Sequence, residues 1–223
     1  MNGRDAVLGK VRRALGASGN EAERRRAVSE RLDNPRPNLI PARGQLDRDG
    51  RIALFGRMAE SVSATVERLA APEDVPAAIA LYLREHNLPA GLRTGHDPAI
   101  AALPWEREPH LDRLVGPSDG RDMVALSRAF AGVAETGTLV LVSGPDNPTT
   151  LNLLPDTHIV MVDADDIAGD YESVWRRMRE TYGAGQAPRT VNLVTGPSRS
   201  ADIEQTLILG AHGPRALHII VVG

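Results

Sequence analysis

The sequence contains no cysteine among its 223 residues. The chain can therefore form neither a disulfide bond nor a cluster held by cysteine thiolates, and it has no thiol nucleophile. Lysine is nearly absent too, since Lys10 is the only one. The P-loop signature, which ends in a lysine, and the G-x-G-x-x-G signature of dinucleotide-binding turns are both missing. The sequence thus supports neither kind of nucleotide site, and we expect no cofactor in this chain.

The chain also lacks long apolar runs and a strong net charge. Its apolar stretches at 138–142, 158–162 and 218–222 are far shorter than the roughly 20 residues that cross a bilayer. The N-terminal segment has no continuous apolar stretch typical of a secretory signal, which favours a cytoplasmic protein. The formal net charge is −3, so the chain lacks the overall positive charge that attracts nucleic acid. We therefore expect neither a membrane nor a nucleic acid among its partners.

The first part of the chain differs from the rest in pattern and charge. Apolar spacing predicts an amphipathic helix at 4–15, and a second helix is expected at 21–32. Residues 1–33 carry eight basic and five acidic side chains, which makes this part +3 and leaves −6 for the remainder. Acidic residues interspersed among the arginines favour a solvated helix face over a nucleic-acid or lipid patch. A proline-punctuated connector follows at 33–44. We predict an N-terminal helical arm with its connector over 1–45 and one α/β domain over 46–223.

Short runs of β-branched residues alternate with helical patterns in the second half of the chain. Candidate strands lie at 138–143, 157–163, 189–196 and 217–223. Helices are expected between the last three of them, at 166–182 and 201–209. This order of strands and helices predicts an α/β fold with a largely parallel sheet, flanked by helices and joined by right-handed crossovers.

The segment AETGT at 134–138 places a carboxylate in a turn just before a strand. Gly137 can adopt a positive φ, so Glu135 would be held at the strand end together with Thr136 and Thr138. Sites of α/β proteins often lie at strand ends. Two interpretations of Glu135 stay open on spacing alone: a solvated turn residue, or a catalytic base or nucleophile.

A second polar segment, GPSRSADIEQTLILGAHGP at 196–214, connects two of the predicted strands. Hydroxyls, a guanidinium and the free amides of a helix start could together bind an anion. Capping alone is the alternative, with Asp202 as the N-cap of the following helix. The candidate ligand-binding residues are Gly196, Ser198, Arg199, Ser200, Asp202, Glu204, His212 and Gly213 of this segment, together with Thr136, Gly137 and Thr138 of the AETGT turn.

Other arrangements of catalytic or metal-binding residues receive less support. Ser198, His212 and Asp202 could be drawn as a catalytic triad, but the G-x-S-x-G turn is absent. His158 and His218 lie within apolar runs, which favours hydrogen-bonded core residues over metal ligands. No metal site is predicted.

The segments AETGTLVLVSGPDNPTTLNLLPDTHIVMVD and TGPSRSADIEQTLILGAHGPRALHIIVVG together resemble the lactate-utilisation protein C family, whose members carry a LUD domain. The resemblance implies a fold similar to the sugar-phosphate isomerase, CoA-transferase and 5-formyltetrahydrofolate cyclo-ligase group. It also implies a role beside two other proteins, including iron–sulfur subunits, in oxidising L-lactate to pyruvate. Iron–sulfur clusters are then expected only in those partner subunits.

The resemblance leaves two classes of function open. In the first, the chain is a non-redox accessory or ligand-binding subunit of the lactate-oxidising assembly and binds a small anionic ligand. In the second, it is an enzyme acting on a phosphorylated, acyl-CoA or carboxylate ligand, with Glu135 as base or nucleophile and Ser198 and Arg199 holding the anion. A purely structural scaffold is a weaker third interpretation. Whether the arm binds a partner or a second copy of the chain also stays open.

Overall fold

The computed structural model describes residues 3–18, 21–183, 185–200, 208–210 and 212–223. The α-helices in these ranges are α1 (Gly3–Ala14), α2 (Ala22–Asp33), α3 (Arg48–Ser61), α4 (Val75–Glu85), α5 (Pro98–Ala101), α6 (Thr149–Leu153) and α7 (Tyr171–Tyr182). The strands are β1 (Thr65–Leu69), β2 (Gly91–Thr94), β3 (Asp112–Val115), β4 (Val124–Arg128), β5 (Ala131–Val133), β6 (Thr138–Val142), β7 (Thr157–Asp163), β8 (Ile167–Ala168), β9 (Val191–Val194), β10 (Arg199–Ser200), β11 (Ile208–Leu209) and β12 (Ala216–Val222).

The main sheet has six parallel strands in the order β1-β12-β7-β4-β2-β3. Its central strands β7 and β12 are buried over almost their whole length. This burial on both faces explains why their sequences are nearly continuous apolar runs. The predicted α/β fold with a largely parallel sheet flanked by helices is confirmed. Its assignment to the isomerase and CoA-transferase fold group stays a prediction.

A second sheet packs against the first and has a different character. It contains four strands in the order β8-β5-β6-β9, in which β6 is antiparallel to both β5 and β9. The expectation that the last three predicted strands belong to one parallel sheet is therefore wrong for β9. Sequence periodicity identifies β9 as a strand, but it carries no information about which distant strand will pair with it.

Three apolar clusters hold the layers together. On one face of the main sheet, Ile79 of α4 packs with Leu126 and Ile220. On the other face, α3 and the second sheet contribute Phe55 and Leu139 to a cluster that includes Ile219. Helix α7 covers the outer face of the second sheet through Val174 and Met178, which pack with Val133 and Val140. The chain thus forms a layered α/β structure, with the second sheet between the main sheet and α7.

The predicted helix at 201–209 is wrong at its C-terminal end. Ile208 and Leu209 form β11, which pairs antiparallel with Arg199 and Ser200 of β10. Residues 201–207 lie outside the described residues, and so do the predicted site residues Asp202 and Glu204. The polar connection therefore enters and leaves through a short β-ladder.

Helix α7 begins later than the pattern at 166–182 predicts. Residues Ala164–Asp166 form a 3-10 turn, and β8 follows it. Asp170 then caps α7, because its carboxylate accepts a hydrogen bond of 2.8 Å from the backbone N–H of Ser173. This cap fixes the first turn of α7 beside the hairpin that carries Glu135.

The N-terminal helices α1 and α2 contain no buried residue in their described parts. The connector reaches the domain at α7, where the backbone N–H of Asn38 donates to Glu172 Oε1 over 3.0 Å. Farther along, the side-chain amide of Gln45 donates to Asp170 Oδ2 over 2.9 Å. In the part of the chain that the structure describes, no helix has the length and apolar character of a transmembrane segment. We propose the boundary between arm and domain at residue 45, which makes the second of these two contacts and after which α3 begins at Arg48.

Removing residues 1–40 is expected to leave a cooperatively folding domain. The reason is that neither arm helix contributes a buried side chain, so the loss of burial is small. Thermal unfolding should shift by no more than about 3 °C, which corresponds to roughly 1 kcal/mol in a chain of this size. An insoluble or molten truncated chain would place the arm within the core and contradict the proposed boundary.

Candidate functional site

Glu135 lies in the tight turn of the β5–β6 hairpin. Gly137 completes this turn with a φ of 66°. A Cβ atom at Gly137 would collide with the backbone of α3, at Ala59 N and Met58 C. The turn therefore requires glycine for two reasons, the left-handed backbone and the close approach of α3.

The carboxyl group of Glu135 is buried, with only 4% of the residue exposed. Its Oε1 accepts a long hydrogen bond of 3.4 Å from the backbone N–H of Tyr171, the first residue of α7. Its Oε2 is buried and has no hydrogen-bond partner. The start of a helix favours a carboxylate, so one oxygen has a structural role. The other is a buried acceptor without a partner, which is unusual in a folded protein.

Four hydroxyl groups form a cluster that connects the turn carrying Glu135 to the end of β9. Thr138 Oγ1 is 2.7 Å from Thr136 Oγ1, 2.8 Å from the Tyr171 hydroxyl and 2.7 Å from Thr195 Oγ1. One hydroxyl can donate once and accept twice, so these three contacts satisfy Thr138 fully. Thr195 follows β9 and lines a cavity at the end of that strand. The hydroxyl cluster therefore connects the Glu135 turn to that cavity.

The cavity has a volume of about 230 Å³ and opens between α6, the end of β9 and the start of β12. Its polar lining residues are Asn152, His158, Thr195, Ser198 and His212. Its remaining lining residues are Leu153, Leu193, Val194, Gly196, Pro197, Gly213, Pro214 and Leu217. The structure thus brings four of the predicted site residues, Gly196, Ser198, His212 and Gly213, to one cavity. The predicted residues that do not line it are Glu135, Thr136, Gly137, Thr138 and Arg199.

Three buried side chains form a hydrogen-bonded relay at the cavity wall. Ser127 Oγ donates to Asn152 Oδ1 over 3.3 Å and lies 3.1 Å from His158 Nε2. Because the single hydroxyl proton of Ser127 is given to Asn152, His158 must donate through Nε2. Burial lowers the pKa of His158 to about 3, so the ring is neutral at physiological pH. Its Nδ1 is then left as an acceptor.

Asn152 contributes an unpaired hydrogen-bond donor to the cavity wall. Only 2% of the residue is exposed, and its Nδ2 has no hydrogen-bond partner. A buried amide without a partner costs about 1–3 kcal/mol, so it is a natural place for a ligand oxygen. The wall of the cavity therefore includes an unpaired N–H donor on Asn152, and His158 lines the same cavity with an acceptor nitrogen, Nδ1.

The polar connection is held against the end of α3. Gly196 has a φ of 78°, and a Cβ there would collide with the carbonyl oxygen of Val62. The Arg199 guanidinium donates to the same carbonyl through Nη2. Arg199 is thus used to anchor the connection. Ser200 is described only by its backbone, which pairs with Ile208 in the β-ladder.

Ser198 and His212 face the cavity from opposite ends of this connection. The Ser198 backbone N–H donates to Pro214 O over 2.9 Å, and its carbonyl accepts from Gly210 N over 3.0 Å. A Cβ on Gly213 would lie 3.3 Å from the Ser198 Cβ, so the two segments run in close contact. His212 is exposed at the mouth of the cavity. Within the described residues, no group of three or more His, Asp or Glu side chains has the spacing of a metal site.

Sequence reasoning misses Asn152 and Ser127. The loop at 142–150 and the TTLNLL segment that its last two residues begin indicate either a helix cap or an anion site at the helix start, and neither interpretation involves Asn152. His158 is predicted to be a hydrogen-bonded core residue, and the structure confirms this through its contact with Ser127. Two features of the sequence could have indicated this wall: an asparagine inside a short apolar helix and a histidine inside an apolar strand. Polar residues in apolar runs need a partner when they are buried.

Comparison with known proteins places this cavity in a recognised domain. Residues 121–222 match the LUD domain model. A crystal structure of a DUF162 family protein from Deinococcus radiodurans has the same fold, with a TM-score of 0.60 and 23% identity over 80% of this chain and 99% of that one. The match to the LUD domain model thus covers a little under half of the chain, and the shared fold extends beyond it.

Several curated relatives carry the name lactate utilization protein C, and two of them illustrate the extent of the match. The one from Halalkalibacterium halodurans is 35% identical over 112 residues, or 49% of this chain and 48% of that protein. The one from Bacillus subtilis is 40% identical over 91 residues, or 40% of this chain and 38% of that protein. The match thus covers less than half of either relative. The resemblance to the lactate-utilisation protein C family is confirmed.

Proposed function

We propose that this chain is a lactate-utilisation protein that serves as a non-redox, ligand-binding accessory subunit of an iron–sulfur assembly oxidising L-lactate to pyruvate. The observation that carries the proposal is the unpaired, buried amide of Asn152 at a cavity within the LUD domain. Every residue that lines the cavity falls within the matched range 121–222. The relatives named for lactate utilisation match this chain at 35–40% identity.

The chemistry of the wall suits a small molecule with adjacent oxygen atoms. Asn152 Nδ2 can donate to a carboxylate or carbonyl oxygen, and the neutral His158 can accept a hydroxyl proton at Nδ1. L-lactate carries both groups on neighbouring carbons. Sites for drug-sized ligands typically have volumes of roughly 300–1,000 Å³, so the 230 Å³ of this cavity suits a metabolite of a few heavy atoms.

Leu193 offers a way to block the cavity without disturbing the buried wall. It lies on β9, lines the cavity and is 45% exposed. Leu193→Trp is expected to fill the mouth of the cavity and lower lactate-dependent growth of a strain that depends on this protein by at least about tenfold in rate. Leu114→Trp is the matched control, because Leu114 is 46% exposed on β3 and does not line this cavity. Equal growth with both variants would contradict a role for the cavity.

A second candidate function is favoured by the unpaired Oε2 of Glu135. A buried carboxylate oxygen without a partner is a candidate base or nucleophile. Under this hypothesis the chain is an enzyme that acts on a phosphorylated, acyl-CoA or carboxylate ligand. The route to Glu135 would pass along the hydroxyl cluster from Thr195 to Thr138.

Glu135→Gln separates the two candidates. The substitution keeps the shape of the side chain and removes its charge, so a general base should lose about 10²-fold or more in turnover. The accessory-subunit proposal expects lactate oxidation by the reconstituted assembly to stay within a factor of about two. Glu180→Gln, an exposed change on α7, controls for a general effect of lost charge. A 10²-fold loss specific to Glu135→Gln would favour the enzyme.

A further inference from the structure

A second pocket lies between β1 and α4, on the opposite face of the main sheet from the cavity lined by Asn152 and His158, which we call the LUD cavity. Its volume is about 270 Å³. Helix α4 contributes a stripe at positions 78, 81, 82 and 85, and the first residues of β1 and β12 form the floor. We call it the β1–α4 pocket. It shares no lining residue with the LUD cavity.

The centre of the pocket is a stack of three rings. The Tyr82 ring stacks on His86 at a centroid distance of 4.0 Å and on His218 at 4.1 Å. His218 is anchored at Nδ1, which lies 2.8 Å from Thr65 Oγ1. His218 is only 4% exposed, and its Nε2 is buried without a hydrogen-bond partner. A rigid imidazole with an unsatisfied nitrogen therefore faces this pocket.

Negative charge surrounds that nitrogen. Glu67 Oε2 lies 3.6 Å from His218 Nε2, which is beyond the length of a normal hydrogen bond. Glu85 lies at the C-terminal end of α4, where the helix dipole adds further negative potential. No arginine or lysine is present among the described residues that line the pocket.

Both histidines can present acceptors to the pocket. His86 Nδ1 lies 2.9 Å from the carbonyl oxygen of Tyr82, so it must be the donor, which leaves Nε2 of the neutral ring as an acceptor. Burial and the neighbouring His86 lower the pKa of His218 to about 4. His218 is therefore uncharged at neutral pH and does not repel a cation. Leu81 and the Tyr82 ring provide apolar wall beside these acceptors.

We infer that the β1–α4 pocket binds an ammonium or guanidinium group on a short apolar stem, with the cation bridging Glu67 and His218 Nε2. In the tautomer in which His218 Nδ1 donates to Thr65 Oγ1, Nε2 is an acceptor, and a ligand nitrogen that donates to it and to Glu67 Oε2 bridges the 3.6 Å between these two atoms. The stem packs on Leu81 and Tyr82, and Glu85 adds long-range attraction. The cation belongs either to a free small amine or to the lysine or arginine side chain of another chain. The pocket is independent of the proposed lactate role.

The test is a titration of the full-length protein at fixed ionic strength with four probes. Propylammonium and propylguanidinium represent free amines, and N-acetyl-lysine N-methylamide represents a side chain within a polypeptide. Tetramethylammonium has the same charge but no N–H donor. Binding is followed by calorimetry and by the C2 proton resonance of His218. We expect saturable binding and a shifted His218 resonance with N–H donors, and neither effect with tetramethylammonium.

Two variants make the result specific. Glu67→Gln removes the charge from a side chain that is 38% exposed, so the fold should be kept. The dissociation constant should rise at least about tenfold, as expected for one charge-assisted hydrogen bond. Glu106→Gln, outside the pocket, should leave it unchanged. Binding by the free amines supports a small-molecule site, and binding confined to the lysine derivative supports a partner chain. Equal binding of tetramethylammonium, undiminished affinity in Glu67→Gln, or no binding by any probe would overturn the inference.

Discussion

Gly137→Ala should destabilise the protein by about 3 kcal/mol or more, well above the roughly 1 kcal/mol of a typical substitution. Two penalties add at this position. A residue with a side chain at a φ of 66° costs on the order of 1 kcal/mol. The new methyl group would also collide with the backbone of α3 at Ala59, and overpacking of this kind costs about 1–3 kcal/mol. Urea denaturation and thermal unfolding both measure the loss, with a midpoint lowered by roughly 6–12 °C.

Gly144→Ala is the matched control for this substitution. Gly144 is exposed, lies in the loop after β6, and has no atom within 4 Å of the position its Cβ would take. We expect its free energy of unfolding to stay within about 0.5 kcal/mol of wild type. Similar stability of the two variants would show that α3 does not hold the Glu135 turn.

Acidification from pH 7 to pH 5 should weaken the protein through two buried histidines. The pKa of His158 is lowered to about 3 by burial, and that of His218 to about 4 by burial and by His86. In the unfolded chain both titrate near 6.5, so below that pH the unfolded state binds protons that the folded state does not. Stability is complete above about pH 6.5 and is lost as the pH falls toward the folded-state values. Each histidine should remove on the order of 2 kcal/mol by pH 5.

The substitution His218→Phe isolates the contribution of His218 to the loss of stability at low pH. Phenylalanine keeps a ring against Tyr82 and cannot titrate. The loss of unfolding free energy between pH 7 and pH 5 should therefore be smaller in the variant by on the order of 2 kcal/mol. Urea denaturation at half-unit steps of pH gives both curves. Parallel curves for wild type and His218→Phe would mean that His218 is not held neutral in the folded state.

Helix α3 has a role that the LUD match does not include, because it precedes residue 121. Its last turn meets Gly137 at Ala59, and the residue after it, Val62, meets both Gly196 and Arg199 through one carbonyl. The two polar turns of the domain are thus held by one helix from outside the matched range. Gly137→Ala should consequently disturb the cavity as well as the hairpin.

The two central strands of the main sheet are predictable from the sequence, whereas the pairing of strands in the second sheet is not. Strands β7 and β12 are buried on both faces, and their nearly continuous apolar sequences indicate this burial. Strand β5 is only three residues long and contains an alanine and a glycine, so it gives no strand signal. Strands β9 and β6 are far apart in the sequence, and no local sequence pattern predicts that they pair.

The sequence predicts the polar loop at 196–214 as part of the site, but it does not predict the buried wall of the cavity. Glycines and clustered polar residues identify the connection that carries Ser198 and His212. Arg199 resembles an anion ligand in the sequence, but it anchors the chain to Val62 because α3 ends beside it. The unpaired amide of Asn152 depends on Ser127 and His158, which come from two different strands. Only the folded arrangement brings these three side chains together.

The side-chain amide resonances of Asn152 provide the most direct test of the proposed ligand site. In a nitrogen-15 labelled sample, titration with L-lactate or pyruvate should shift both Asn152 Nδ2 proton signals until they saturate, since the ligand oxygen supplies the missing acceptor. The same titration of Leu193→Trp should leave these signals in place. Asn152 signals that stay unchanged in the wild-type protein at saturating lactate and pyruvate would contradict the assignment of this cavity to lactate utilisation.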